Sequence, residues 1–319
     1  MAYRDTISLA AVIAVVVAGT AVSALPDPFT RKLRINDTGG DVTILQNLLQ
    51  RANLASDCAL AKASGTYDAA TAAAVKCFQA QQGLAADGVV GNATAWRVLE
   101  TLSLDGWRDD GRSAHELGGY KYKILLPVHV NRSVETTATL LDAHNNVLLR
   151  FPARTHGHDV DASGQPIMGV PWPDLSDDGC PRSAARQGCV GLNSFSRYGA
   201  TPTGLTELDL NSPEDVPKLY GPYPVNRFVQ GKAGNAGFLV PTLRDGILIH
   251  TGEWANYSSW KVGDPMPNSA GCVHSYLPEI KAIWQLLVNK CGVEVRNNTN
   301  GKLPYPYKPQ GIASVYVVD

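Results

Sequence analysis

The chain has almost no net charge and no run of basic residues: 28 Lys and Arg stand against 29 Asp and Glu in 319 residues. That argues against nucleic acid or an anionic membrane as a partner, because both are held by a local surplus of positive charge. No phosphate-cradling or dinucleotide motif is present, and there are no repeats or low-complexity tracts. Charged residues make up only 18% and hydrophobic ones 44%, a balance that suits packed domains and not a disordered chain. One apolar run comes near the ~20 residues needed to span a bilayer. It is N-terminal: Arg4 precedes "ISLAAVIAVVVAG", and "VSA" at 22–24 offers small residues to a signal peptidase. This order reads as a secretory signal over residues 1–24, with cleavage near Ala24 expected in preference to an uncleaved anchor. A secreted protein with no membrane contact after cleavage is therefore expected.

Export gives the six cysteines their meaning, because disulfides persist in an oxidising compartment. Cys58 and Cys77 lie in one local unit, and Cys180 and Cys189 flank one short loop, so local pairing is expected. Connectivity is not fixed by sequence. Cys272 and Cys291 remain, as a bridge across one helix or as two thiols. Five glycosylation sequons begin at Asn36, Asn92, Asn131, Asn256 and Asn297.

Apolar spacing predicts three short helices over 30–103. "DVTILQNLLQRA" puts Val42, Leu45, Leu48 and Leu49 on one face, and "DAATAAAVKCFQAQQ" does so with Ala74, Val75 and Phe78 behind an Asp68 N-cap. An Asp87-Gly88 turn leads to a third helix with Trp96 and Leu99. So small a core is marginal, and a Cys58–Cys77 bridge would restrict its unfolded chain. Residues 104–120, charged and glycine-bearing, read as a linker. From 121 to 298 the pattern is mainly β. A hairpin turns at His144-Asn145-Asn146, "DGILIHTG" is a strand ending in His250, and "PEIKAIWQLLVNK" is one long helix with Pro278 in its first turn and Gly292 at its stop. "GVEVR" and "ASVYVV" read as closing strands, the latter within a tail over 299–319. The expected fold class is multidomain α + β.

The helical unit resembles the bacterial-type peptidoglycan-binding domain. The matching residues are Val42, Leu45, Gln46, Leu49, Gly65, Tyr67, Thr71, Val75, Phe78, Gln79, Leu84, Asp87, Gly88, Val90, Gly91, Thr94, Trp96 and Leu99. Most are core or turn residues, so the resemblance speaks to fold more than to a binding surface.

"PNSAGCVHSY" at 267–276 places Cys272 after a glycine and before the long helix. A cysteine nucleophile needs a base, an exposed turn and donors for the oxyanion. His250 at a strand end is a candidate base. Gly271 permits close backbone approach, and the following helix could bring its positive end to the sulfur. "HTG" at 250–252, "SAGCV" at 269–273 and "ATPTG" at 200–204 together resemble the L,D-transpeptidase catalytic family, as does the early hairpin with "RFPART". The resemblance spans roughly 121–298. It implies Cys272 as nucleophile, His250 as base, the Thr251 carbonyl as orienter of the ring, Ser269 as support for the turn, and the Gly271 and Cys272 amides as oxyanion donors. Two positions depart from the family: Ala270 where His is frequent, and His274 where Arg or Asn is frequent. His274 is expected to bind substrate, with a charge that follows pH.

Other candidates read as structural. His156, His158, Asp159 and Asp161 lack a further ligand and read as a polar loop, so no metal is expected. Arg182 and Arg186 read as solvated, and "YGPYPVNRF" as a packed or groove-lining segment. The resemblances imply a wall-associated or periplasmic L,D-transpeptidase without cofactor. Its partners would be peptidoglycan stem tetrapeptides and glycan strands, and it would work through a thioester. The alternatives are a same-fold L,D-carboxypeptidase that trims wall, or a non-catalytic wall binder with Cys272 locked to Cys291.

Overall fold

The computed structural model describes residues 25, 28–52, 58, 60, 62–103, 106–129, 132, 134–157, 192–195, 199–252, 266–267, 269–297 and 309–318. The signal segment, the Cys180–Cys189 pair, Asn131, Asn256, His158, Asp159, Asp161, Arg182 and Arg186 lie outside the described residues.

Three helices form the N-terminal unit: α1 (Gly40–Ala52), α2 (Ala69–Gln81) and α3 (Asn92–Ser103). Asp68 caps α2, its side chain accepting from the Thr71 amide at 2.8 Å. Val42, Leu45, Leu49, Val75, Phe78, Val90 and Leu99 fill the core, and Cys58 is bonded to Cys77. Two buried amides tie the loops to the helices. Gln46 donates to Thr66 O and Thr71 Oγ1 and accepts from the Ser64 and Gly65 amides. Gln79 donates to Asp87 Oδ1, Val89 O and Thr94 Oγ1 and accepts from the Gly88 amide. A small core is thus reinforced by polar groups whose hydrogen bonds are satisfied internally. These are motif residues, which explains why the motif reports fold so well.

The larger unit is an eight-stranded mixed sheet of order β3-β2-β1-β8-β4-β5-β6-β7. Its strands are β1 (Tyr122–His129), β2 (Thr136–Asp142), β3 (Val147–Ala153), β4 (Gly204–Asn211), β5 (Val225–Ala233), β6 (Leu248–His250), β7 (Val273–His274) and β8 (Gly311–Val318). The β2–β3 turn forms where expected: Asn145 has φ of 67°, and Asp142 accepts from the His144 and Asn146 amides. Helix α7 (Leu277–Cys291) also forms as expected, with Ile280, Ile283 and Leu287 buried and Gly292 ending it at φ of 61°. Shorter helices are α4 (Ala114–Gly118), α5 (Pro217–Tyr220) and α6 (Gly234–Leu239). The fold class is the expected one: a small helical unit, then a mainly β unit with one long helix.

Two details differ from expectation, and one expected strand takes an interior place. "ASVYVV" is a strand as expected, and β8 lies inside the sheet, parallel to β1 and antiparallel to β4. "GVEVR" forms no strand. It makes one bridge, Arg296 to Asn211, while Val293 turns into the core and Val295 stays exposed. The stretch read as a linker carries α4, whose Ser113 and Glu116 form a reciprocal capping box. It is also fastened to the sheet: Lys123 pairs with Asp109 at 2.8 Å, and Trp107 Nε1 donates to Ser314 Oγ at 3.2 Å.

The two units touch. Arg51 of α1 donates to Asn235 Oδ1 at 2.7 Å and lies over the Phe238 ring. Asn235 in turn donates to the Leu102 carbonyl of α3 at 3.2 Å.

Candidate active site

His250 ends β6 and Cys272 directly precedes β7, so both lie at the β6–β7 end of the sheet. The parallel register pairs Ile249 with Val273 and His250 with His274, and Cys272 directly precedes β7. Side chains alternate along strands, so Leu248, His250, Cys272 and His274 face the same side, with His250 and Cys272 on a diagonal. Tyr220, at the end of α5, covers both. Its ring lies 5.1 Å from the His250 ring and packs in the small apolar cluster of Val225, Leu248 and Cys272. Behind it Gly221, at φ of 78°, presses so closely on Thr251 that a Cβ would lie 2.4 Å from Thr251 Cγ2.

His250 is buried, and its Nδ1 lies 2.7 Å from the Thr251 carbonyl. That contact makes Nδ1 the donor and leaves Nε2 as the basic nitrogen. Burial lowers the imidazole pKa to about 4, against the opposing effect of the Thr251 carbonyl. The Cys272 thiol is pushed up to about 11, chiefly by burial; the Leu248 backbone and the Arg227 and Arg244 charges act the other way, and Glu214 adds to the rise. The thiol donates to the Gly246 carbonyl at 3.7 Å, and among the described residues no hydrogen bond joins it to His250. At neutral pH the thiol and the imidazole are both uncharged.

The turn that carries Cys272 is held at every residue. Ser269 Oγ donates to the Cys272 carbonyl at 2.6 Å and accepts the Gly271 amide at 3.2 Å. Thr201 Oγ1 donates to the Gly271 carbonyl at 2.9 Å, and Arg244 Nη2 to the Ala270 carbonyl at 3.2 Å. Gly271 has φ of 100°, a conformation that L side chains rarely adopt. With the Gly271 amide engaged by Ser269, the Cys272 amide is the oxyanion donor left open, having no backbone partner among the described residues.

The "ATPTG" segment acquires a physical account. Besides Thr201, the Thr203 carbonyl accepts the Ala236 amide at 2.7 Å. Gly204, at φ of 128°, lets β4 start against α6, where a Cβ would lie 2.1 Å from the Ala233 carbonyl.

His274 is not an exposed donor. It is buried, its Nδ1 lies 2.9 Å from the Pro267 carbonyl, and its ring meets the His250 ring edge-on at 4.8 Å. Helix α7 starts five positions beyond Cys272, after β7. Cys291 is a half-buried free thiol at the end of α7, and Cys272 is also free, so the bridge between them is not formed. His156 turns its ring to the Gly157 carbonyl, while its own carbonyl accepts the Ser269 amide at 2.9 Å. Among the described residues no group of three metal-ligating side chains occurs, and no helix is long and apolar enough to cross a membrane.

Arg244 and Tyr220 were missed as site residues by the sequence reading. A loop arginine in "TLRDG" carries no periodic signal, and Tyr220 was read only as part of a packed aromatic segment. The three other sequons, at Asn36, Asn92 and Asn297, fall on described residues, with Asn92 lining a cavity of about 550 Å³ in the helical unit alongside Lys32, Leu84 and Asp87.

An alkylation experiment checks the thiol's environment. Iodoacetamide should label Cys272 slowly at pH 7, with a rate that climbs with pH toward 11, because the thiolate is the reacting form. Peptide mapping should place the label on a cysteine unbridged to Cys291. Fast labelling at neutral pH would contradict the buried, uncharged thiol.

Residues 38–97 match the family model of the putative peptidoglycan binding domain, within the helical unit. No curated protein matches the chain. Among solved structures it is similar to an L,D-transpeptidase from Xylanimonas cellulosilytica (residues 123–326), at 16% identity over 91% of this chain and 99% of that one, TM-score 0.27. It is also similar to an L,D-transpeptidase from Stackebrandtia nassauensis, at 14% identity over 89% and 94%, TM-score 0.29. A third similarity is to a fused zinc-dependent amidase/peptidase with a peptidoglycan-binding domain from Clostridium acetobutylicum, at 12% identity over 90% and 99%, TM-score 0.25.

Proposed function

We propose that the chain is a secreted, cysteine-dependent L,D-transpeptidase acting on peptidoglycan stem tetrapeptides. The observation that carries this reading is the pinned turn bearing Cys272 on the same sheet face as a neutral His250 whose Nδ1 is tied to the Thr251 carbonyl. The match of 38–97 to a peptidoglycan-binding family supports the wall as partner. The helical unit, over 30–103, keeps stem peptides near the catalytic unit and so raises their effective concentration.

Cys272 rotates toward His250, and Nε2 takes the thiol proton as the sulfur attacks the carbonyl carbon of the L-centred residue. The carbonyl π pair moves to oxygen, which the Cys272 amide stabilises. Collapse breaks the C–N bond, and the imidazolium returns its proton to the departing D-alanine amine. The thioester is then attacked by an acceptor amine, giving an amide cross-link, or by water, giving a tripeptide acid. With the thiol near 11 and the imidazole near 4, a resting thiolate–imidazolium pair is disfavoured, so proton transfer accompanies attack.

The test is product analysis with a defined tetrapeptide muropeptide and increasing acceptor. Dimers joined between two L-centred residues should grow with acceptor concentration. Tripeptide alone at saturating acceptor would replace transpeptidation by L,D-carboxypeptidase trimming. Sacculi test the partner separately: the full chain with Cys272→Ala should pellet with purified sacculi. Equal recovery in the supernatant with and without sacculi would reject wall binding. A glycan on Asn92 would stand in the cavity it lines, so material glycosylated there should pellet less.

A further inference from the structure

Arg244 is fully buried in the loop between α6 and β6, and its guanidinium reaches three separate segments. Nη1 donates to the Ser194 carbonyl at 2.5 Å and the Ala200 carbonyl at 3.1 Å; Nη2 donates to the Gly199 carbonyl at 2.7 Å and the Ala270 carbonyl at 3.2 Å. The first belongs to a 3-10 turn (Leu192–Phe195), the next two to the approach to the "TPTG" segment, and the last to the turn before Cys272. The contact is tight: a Cβ on Gly271 would lie 2.1 Å from Nη2. No other side chain joins the Gly199–Thr201 segment to both the 3-10 turn and the nucleophile turn among the hydrogen bonds of the described residues.

Burying a guanidinium carries a large desolvation cost, which its hydrogen bonds offset in part. A neutral amide could bridge backbone carbonyls at lower cost, though with fewer donors than the five of a guanidinium fork. The guanidinium lies directly behind the residue that precedes the nucleophile. We propose that Arg244 is the positioning residue of this site: its fork fixes the nucleophile turn against the 199–201 segment, and its charge favours the negative sulfur and oxyanion that form on attack.

This assignment deepens the cysteine acyl-transfer reading and rests on it for the second half of its role. The same charge lowers the thiol pKa against burial, in company with Arg227. The other ionisable groups around the thiol are Glu214, which pairs with Arg227, His250 on β6, His274 on β7 and Tyr220 at the end of α5. Of the two cations, Arg244 is the one that also grips the turn.

The test compares Arg244→Gln and Arg244→Lys in the full chain, using the pH profile of iodoacetamide labelling at Cys272. That readout requires no wall substrate. R244Q should label about tenfold more slowly at pH 8, with its profile displaced upward by about one unit, as expected for loss of a nearby cation. R244K keeps the charge but not the fork. Its labelling profile should stay with the wild type, while kcat for acyl-enzyme formation falls and KM changes little. A purely structural arginine would leave both profiles in place. That result overturns the proposal, as does an equal displacement in both variants or failure of both to fold. If R244Q alone fails to fold, R244K decides: an unmoved profile with a lower kcat supports the proposal, and anything else overturns it. Absence of any acyl-enzyme in the wild type would remove the transferase reading, yet the labelling profiles would still decide whether Arg244 tunes the thiol.

Discussion

Cys272→Ala should yield a folded protein that forms no covalent intermediate. Wild-type protein mixed with a tetrapeptide muropeptide should gain the mass of the tripeptide-bearing acyl group on Cys272 and release D-alanine, and the variant should do neither. The loss should be complete because no neighbouring group can take over. Ser269 is the nearest hydroxyl in the turn, but its Oγ is committed to the Cys272 carbonyl and the Gly271 amide. Tyr220 lies over the site with its ring packed against His250 and the apolar cluster around Cys272. The substitution removes one sulfur from a small cluster of Val225 and Leu248, so it should cost only about 1 kcal/mol of stability. A thermal melt close to the wild type would show that lost chemistry is not lost fold. D-alanine release by C272A above the protein-free background would sink the assignment of the nucleophile, and an intact-mass shift in C272A would place the acyl group elsewhere.

The helices were legible in the sequence because their signals are local. Asp68 caps α2 and Gly292 stops α7, and apolar spacing marks the faces that pack. The sheet's order was not legible, since a strand's pattern says which face is buried and not which strand lies beside it. "ASVYVV" accordingly read as an ending although β8 sits between β1 and β4. "GVEVR" alternates like a strand, yet among the described residues it makes a single β-bridge, at Arg296. Charge in 104–120 suggested solvent, whereas Lys123 draws Asp109 inward and Glu116 caps its own helix. At the candidate site, Cys272 and His250 stood out because few residue types can do such chemistry. The turn's supports were harder to see. Thr201, Ser269 and Arg244 act on backbone carbonyls, which leave no trace in the identity of the residues they belong to. His274 illustrates the converse: its type suggested substrate binding, but its place puts it edge-on to the His250 ring.

His250→Ala should slow acyl-enzyme formation at pH 7 by about 10²–10⁴-fold, the usual contribution of a positioned general base. Its pH profile should separate this role from a structural one. In the wild type, the imidazole is neutral above about 4 and the thiol protonated below about 11, so the rate should be nearly flat between pH 6 and 9. Without a base, attack needs a preformed thiolate, whose fraction rises tenfold per pH unit until the thiol pKa is reached. The variant should therefore show a log-rate slope of about one over the same range and approach the wild type only in strong alkali. Stability supplies an independent sign. The imidazole pKa is lower in the folded chain than its ordinary 6.5, so the unfolded chain binds the extra proton first. The wild type should have this contribution in full above pH 6.5 and lose it progressively as pH falls toward 4. H250A should lack that part of the acid sensitivity, although it loses ring contacts with Tyr220 and His274 at every pH. A flat rate profile in H250A, parallel to the wild type, would show that the proton leaves Cys272 by another route and that His250 only packs.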